Sequence, residues 1–227
     1  MNKLPKLNLR DRTTLMKAPL MAQLSASTLN RMLEIVTPGT FEARHVIFRE
    51  GNEAEHFYCV LGGHVRLFRL SRCGREADIR ICGPGEVFAD CMLTMGPTHR
   101  YNAQAAENVV VARFDLNKVR NLADREKDLA RALMQVTATN LLSTMDCVAN
   151  DRLQTAPQRV AHYLLSNCRP DGTAASIRLP FQKSLLAGKL GLAPEALSRA
   201  FAALKRTGVT VRGRMIQISD ITALKQI

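Results

Sequence analysis

Lys183-Ser-Leu-Leu-Ala-Gly-Lys-Leu-Gly-Leu-Ala-Pro-Glu-Ala-Leu-Ser-Arg-Ala-Phe-Ala202 is the stretch that decides the fold. Two short helices crossing at a steep angle need a small residue at the crossing, and Ala187 supplies it. The turn between them needs a residue that tolerates positive φ, and Gly191 supplies that. Leu186, Leu190, Leu192, Leu197 and Ala200 fall where such a pair requires apolar contacts, and Pro194 suits a first helical position. The pattern predicts a helix-turn-helix. Its second helix is amphipathic, with Leu197, Ala200, Phe201 and Leu204 on one face at helical spacing and Glu195, Ser198 and Arg199 on the other. A recognition helix presents its N-terminal residues to base edges in the major groove. Arginine bonds guanine O6 and N7 bidentately, and glutamate accepts from cytosine N4. Glu195, Ser198 and Arg199 are therefore the candidate base contacts. The competing interpretation is a surface ion pair between Glu195 and Arg199, worth about 0.3–0.5 kcal/mol.

Working outward, the flanks are basic. Lys183 and Lys189 lie on the first helix, and Val209–Ile218 reads as two short alternating strands around Arg212-Gly213-Arg214. That is a basic hairpin, a wing, suited to touch phosphate. Lys183, Lys189, Arg212 and Arg214 are the candidate backbone contacts. The chain carries a formal charge of +12, which favours a nucleic acid or another anionic surface. From Arg152 onward there are 12 Lys and Arg against 3 Asp and Glu, so one third of the chain holds most of the excess.

The first half has a different rhythm. Gly39, Gly51, Gly62–Gly63, Gly74, Gly85 and Gly96 recur every 11 or 12 residues. Strand-like runs lie between them at His45–Phe48, Phe57–Leu61, His64–Leu70 and Ala77–Cys82, with another at Val109–Phe114. Short strands with turn signals at this step predict a β-barrel or sandwich over residues 37–114, after a short helix at 26–36. From Arg125 to Arg152 there is neither Gly nor Pro, and a long helix is predicted. Met134, Ala138, Leu141, Met145 and Val148 form an a/d seam of the kind that pairs two helices. Leu129, Leu133 and Val136 form a second stripe, suited to pack on the barrel. Pro157 opens a further helix. The expected class is α+β. It comprises a sensor barrel over 1–115, a linker and dimerisation helix over 116–152, and a winged helix-turn-helix over 153–227.

Composition removes several alternatives. The first twenty residues include a proline and several charges, which argues against a signal peptide, and no stretch approaches the ~18 apolar residues of a membrane span. A cytoplasmic protein with no membrane partner is expected. Its six cysteines, Cys59, Cys73, Cys82, Cys91, Cys147 and Cys168, are then expected as thiols. No Cys-x-x-Cys pair is present. A metal-binding cupin needs a His-x-His pair, whereas His64 is followed by Val65-Arg66, and the common hydrolase, zinc-protease and P-loop motifs are missing. No enzyme activity is expected.

A glycine-punctuated barrel, a long helix and a winged helix-turn-helix, in that order, resemble the CRP/FNR family of bacterial regulators over about residues 20–220. Glu195-x-x-Ser198-Arg199 is similar to the recognition motif of the FNR branch. The resemblance implies a homodimer that reads TTGAT-like half-sites in duplex DNA and contacts RNA polymerase, usually to activate. It also implies an effector pocket around Phe88, Asp90, Cys91, Met92 and Arg100. The N-terminal cysteine cluster that holds an iron–sulfur cluster in FNR is missing. Ala89 and Tyr101 stand where cyclic-AMP binders carry a glycine and a small hydroxyl residue, so neither of those cofactors is implied. Phe88-Ala89-Asp90-x-Met92, Leu185–Gly188 and Pro194-Glu195 resemble the DNR/NNR nitric-oxide regulators of denitrification, which implies haem. The candidate axial ligands are His45, His56, His64 and His99, with Cys59 and Cys91. Two alternatives stand beside it, namely a cyclic-nucleotide-responsive regulator and an effector-free regulator controlled by abundance or thiol oxidation.

Overall fold

The first two helices begin where short polar side chains close the opening turn. In the computed structural model, which describes residues 7–168, 170–171 and 173–227, the Asn8 side chain accepts from the Asp11 amide at 2.8 Å to start α1 (Leu9–Lys17). Ser25 accepts from the Thr28 amide to start α2 (Ala26–Ile35). Residues 1–6 of the N-terminal stretch lie outside the described residues. The chain divides into two compact units, residues 1–142 and 143–227.

Among the described residues, unit one has eight strands: β1 (Val36–Phe41), β2 (Val46–Phe48), β3 (His56–Gly62), β4 (Val65–Leu70), β5 (Glu76–Cys82), β6 (Val87–Phe88), β7 (Asn102–Ala105) and β8 (Val109–Asp115). They pair antiparallel in two four-stranded sheets, ordered β1-β8-β3-β6 and β2-β7-β4-β5, around one shared core. β3 is buried without a break from Phe57 to Leu61, because it lies inside its sheet and α1 packs against it. Phe57 stacks on its register partner Phe114 at 4.9 Å. Gly63, at φ 74°, is required where the chain turns into β4, since a Cβ there would run into the backbone of Asn108. α3 (Leu116–Ala123) follows the last strand. α4 (Lys127–Leu153) then buries Leu129, Ala132 and Val136 in the barrel's core, with Leu133 half-buried beside them.

Unit two begins within α4. Gln158 accepts from the Thr155 amide at 2.9 Å in a capping box that starts α5 (Ala156–Asn167). Then come β9 (Pro170–Asp171), β10 (Ala174–Arg178), α6 (Lys183–Lys189), α7 (Pro194–Leu204), β11 (Val209–Arg212), β12 (Met215–Ile218) and α8 (Ile221–Lys225). The sheet order is β11-β12-β10-β9, so the wing hairpin is extended by strands that precede the helix-turn-helix. Leu164, Leu179, Leu186 and Val209 are fully buried at the centre, each contributing roughly 1.5–3 kcal/mol. The fold is α+β, as the pattern predicts. α1, α3, α8, β1, β6, β7, β9 and β10 were not predicted. Asn102-Ala-Gln-Ala105 has little intrinsic strand preference and becomes a strand through its pairing with β2 and β4. Among the described residues no helix is long and apolar enough to cross a membrane.

Candidate nucleic-acid interface

The turn between α6 and α7 is a Schellman motif. The Gly191 amide donates to Gly188 O at 3.2 Å and the Leu192 amide to Ala187 O at 2.9 Å, with Gly191 at φ 61°. Ala187 and Leu192 are buried beneath it. α7 starts on Pro194 and buries Leu197, Ala200, Phe201 and Leu204. The burial of that stripe leaves Glu195, Ser198 and Arg199 exposed together on the opposite face. Among the described residues Glu195 and Arg199 form no ion pair with each other. Both termini of their side chains are therefore available to a partner.

Lys183 is exposed at the first turn of α6, and with Ser184, Pro194, Leu197, Ser198 and Phe201 it lines a cleft of about 230 Å³. The structure thus brings a candidate backbone contact beside a candidate base contact. Lys189 is exposed at the end of α6 with its Nζ 6.0 Å from the centre of the Phe181 ring. In the wing, Gly213 takes φ 59° at the turn, and Arg212 and Arg214 are both exposed. Arg214 also anchors the hairpin, since its carbonyl accepts from the Leu179 amide at 2.9 Å.

The seam residues lie along one side of α4. In the single chain Met134, Leu141, Met145 and Val148 are exposed by 66%, 60%, 58% and 47%, and Ala138 is exposed between them. An apolar stripe this open on a helix is a surface awaiting cover.

The barrel holds a second constellation. Phe88 and Met92 are buried, and Asp90 and Cys91 half-buried, on the short turn of helix at Asp90–Leu93. Ala89 before it takes the left-handed conformation, φ 61°, and its amide donates to Tyr101 Oη at 3.0 Å. Arg120 of α3 closes the other end by donating to Met92 O at 2.7 Å and Leu93 O at 2.9 Å. Burial raises the Asp90 carboxyl above its ordinary value, opposed by its own backbone amide, by the charge of Arg80 and by a hydrogen bond with Asn140 of α4. Burial likewise raises the Tyr101 hydroxyl.

Arg100 corrects the expectation. It is exposed, and the guanidinium brought to Asp90 and Tyr101 is that of Arg80. Arg80 pairs with Leu67 as Cys82 pairs with Val65, and Val65, Leu67 and Cys82 lie in the barrel core, so alternation from Cys82 puts Arg80 on the inner face. Leu67 pairs with Arg80 and Phe68 with Asp78, so Ile79 is the extra residue and turns outward at 49% exposure. Alternation counted from Ile79 and Ile81 would instead put Arg80 in solvent, and no signal in the sequence marks the bulge at Ile79. Arg80, Arg120 and Asn140 are functional candidates that sequence reasoning missed, and Tyr101, read there only as a departure from the cyclic-AMP pattern, joins them.

The six candidate haem ligands are dispersed. His45 is exposed and stacks on Phe41, and His56 is half-buried 3.9 Å from Glu55. His64 Nδ1 meets Glu107 at 2.6 Å. His99 is buried, and its Nδ1 has no hydrogen-bond partner among the described residues. Burial pushes the Cys59 thiol up to about 12, and Cys91 is raised for the same reason.

Comparison with known proteins bears on both constellations. Residues 38–126 match the family model for a cyclic nucleotide-binding domain, and residues 158–227 match the model for a Crp-like helix-turn-helix domain. The nitrogen fixation regulation protein FixK of Rhizobium meliloti is 28% identical over 190 residues, covering 83% of this chain and 85% of that protein. The CRP-like cAMP-activated global transcriptional regulator of Mycobacterium tuberculosis is 24% identical, covering 91% of this chain and 94% of that protein. The solved structure of FixK2 from Bradyrhizobium japonicum superposes with a TM-score of 0.71 at 28% identity, covering 85% of this chain and 96% of that one.

Proposed function

Because this chain belongs to the CRP/FNR family of DNA-binding transcription regulators, we propose that it binds, as a homodimer, palindromes of TTGAT-like half-sites and from there activates transcription through RNA polymerase. It is a regulator and not an enzyme. In this reading residues 1–115 are the sensor, 116–152 join the subunits and 153–227 bind DNA. The observation that carries it is the exposed, mutually unpaired set Glu195, Ser198 and Arg199 on the face of α7 opposite its buried stripe. Two recognition helices in successive major grooves require half-sites about 10 bp apart. The test is Arg199→Ala, which should cost about 1–3 kcal/mol on the correct site and relax preference at the guanine. Equal loss on every sequence makes Arg199 a phosphate contact and removes the base-reading role.

Likeness to the DNR/NNR group implies nitric-oxide sensing through haem and control of denitrification genes. His99, with its buried unpartnered Nδ1, is the observation that favours an axial ligand there. The surroundings do not fit the group as they stand. The His99 ring is stacked on Phe48 at 3.5 Å, and Phe48 lies 5.9–6.2 Å from Tyr58, Phe88 and Tyr101, so side chains occupy the space beside the ligand. That filling favours the effector-free alternative, with control by abundance or thiol oxidation. Spectroscopic titration with haem decides. A saturable Soret band, with DNA affinity that responds to nitric oxide, restores the haem reading; calorimetry with cyclic AMP tests the cyclic-nucleotide alternative in the same way.

A further inference from the structure

A helix leaves its last carbonyls without intrahelical partners. In α6 the Schellman turn closes two of them, those of Ala187 and Gly188. The carbonyl of Leu190, at the C-cap, accepts instead from Arg159 Nη1 at 2.9 Å. Arg159 belongs to α5, and its side chain is 15% exposed. The same Nη1 donates to Asp151 Oδ1, in the last turn of α4. Both charged groups press on the turn itself, since a Cβ at Gly191 would stand 3.0 Å from Asp151 Oδ1 and 3.4 Å from Arg159 Nη1. One guanidinium therefore joins three elements: the end of α4, α5 and the turn that leads into α7. A cation at the C-terminus of α6 is also favoured by the helix dipole.

We propose that Asp151 and Arg159 are positioning residues that set the direction of α7 relative to the end of α4, and so set the half-site spacing that the dimer accepts. This rests on the reading of α7 as the recognition helix of a dimer. Neither residue needs to touch DNA. Arg159 acts through the Leu190 carbonyl, and Asp151 acts by holding Arg159 in place. Lysine at 159 carries the charge but ends in an ammonium on a straight, flexible stem, whereas Nη1 is held off the side-chain axis by the rigid guanidinium, so lysine does not place its nitrogen at the same point between Asp151 Oδ1 and the Leu190 carbonyl.

The test measures affinity of the full-length protein for palindromes with the preferred half-site separation and with one base pair more or fewer. Wild type should favour its own spacing by about tenfold or more. Asp151→Asn keeps the shape and removes the charge. It should lose about three- to tenfold on the preferred site and change little on the altered ones, so that a tenfold discrimination falls to about threefold or less. Arg159→Lys should behave alike, and Arg159→Ala combined with Asp151→Asn should fall short of additivity by about threefold. Preference at the guanine within one half-site should be unchanged in every variant. Equal loss on all three spacings shows a merely structural pair and overturns the proposal, as does a wild type indifferent to spacing. Failure of wild type to bind any palindrome overturns the recognition-helix reading itself.

Discussion

The imidazole of His99 lies flat on the ring of Phe48, with centroids 3.5 Å apart and planes 5° from parallel. Its Nδ1 meets no hydrogen-bond partner among the described residues, and His99 is 3% exposed. Burial pushes its pKa down from 6.5 to about 4. The unfolded chain therefore binds the proton at a higher pH than the folded one. The stability that follows from keeping the ring neutral is fully present above pH 6.5 and is lost as pH falls from there toward 4. At about 1.36 kcal/mol per pKa unit the full loss is roughly 3 kcal/mol. Thermal melts between pH 7.5 and 4.5 should fall more steeply for wild type than for His99→Phe. Parallel curves place the titrating group elsewhere.

The α4 stripe gives the second prediction. Leu141→Arg places a cation in the middle of the seam proposed to pair with a second copy, at a cost of several kcal/mol for an unpaired buried charge. Sedimentation should show wild-type dimer and variant monomer. A normal dimer from the variant moves the subunit interface away from Met134–Val148.

The wing gives the third. Arg212 is exposed at the tip of β11, next to Gly213. A phosphate contact carries no sequence information, so Arg212→Ala should weaken binding to all sequences alike and reduce the dependence of log affinity on log salt by about one unit. An unchanged slope removes the wing from the interface.

Gly191 gives the fourth. At φ 61° a side chain pays about 1–2 kcal/mol for the left-handed conformation, and here the new methyl also meets Asp151. Gly191→Ala should lower the melting temperature of residues 143–227. In an Asp151→Ala background the same change should cost less, because only the backbone share remains. A wild-type melting temperature in Gly191→Ala alone contradicts the left-handed turn.

Much of the molecule was legible because it depends on local rules. Gly191, Pro194 and the Leu197–Leu204 stripe describe a turn, a helix start and a buried face within twenty residues of chain. The long helix and its Leu129/Leu133/Val136 stripe follow from helical period in the same way, and the wing from alternation around Gly213. Strands β6 and β7 were not legible, since Val87–Phe88 is too short to show a period and Asn102–Ala105 has no strand chemistry of its own. The cluster around Asp90 was legible only in part, as Phe88 and Met92 sit in a readable motif while Tyr101, Arg120 and Asn140 arrive from other elements.

The sequence by itself determined the order of barrel, long helix and helix-turn-helix, the polar face of α7 opposite its apolar stripe and the concentration of positive charge beyond Arg152, because propensity, period and charge are properties of neighbours along the chain. Only the tertiary structure decided which arginine faces the barrel cluster, which ring nitrogen is left unpartnered and which carbonyl of α6 is held from outside. Arg80 faces inward because it pairs with Leu67 on the face that Cys82 shares, and Arg159 reaches Leu190, 31 residues away, through the packing of α5 against the helix-turn-helix. Such contacts depend on where chain folding brings distant backbone atoms, and a single side-chain bond can select among the possible partners only after the hydrophobic faces have fixed the distances between elements.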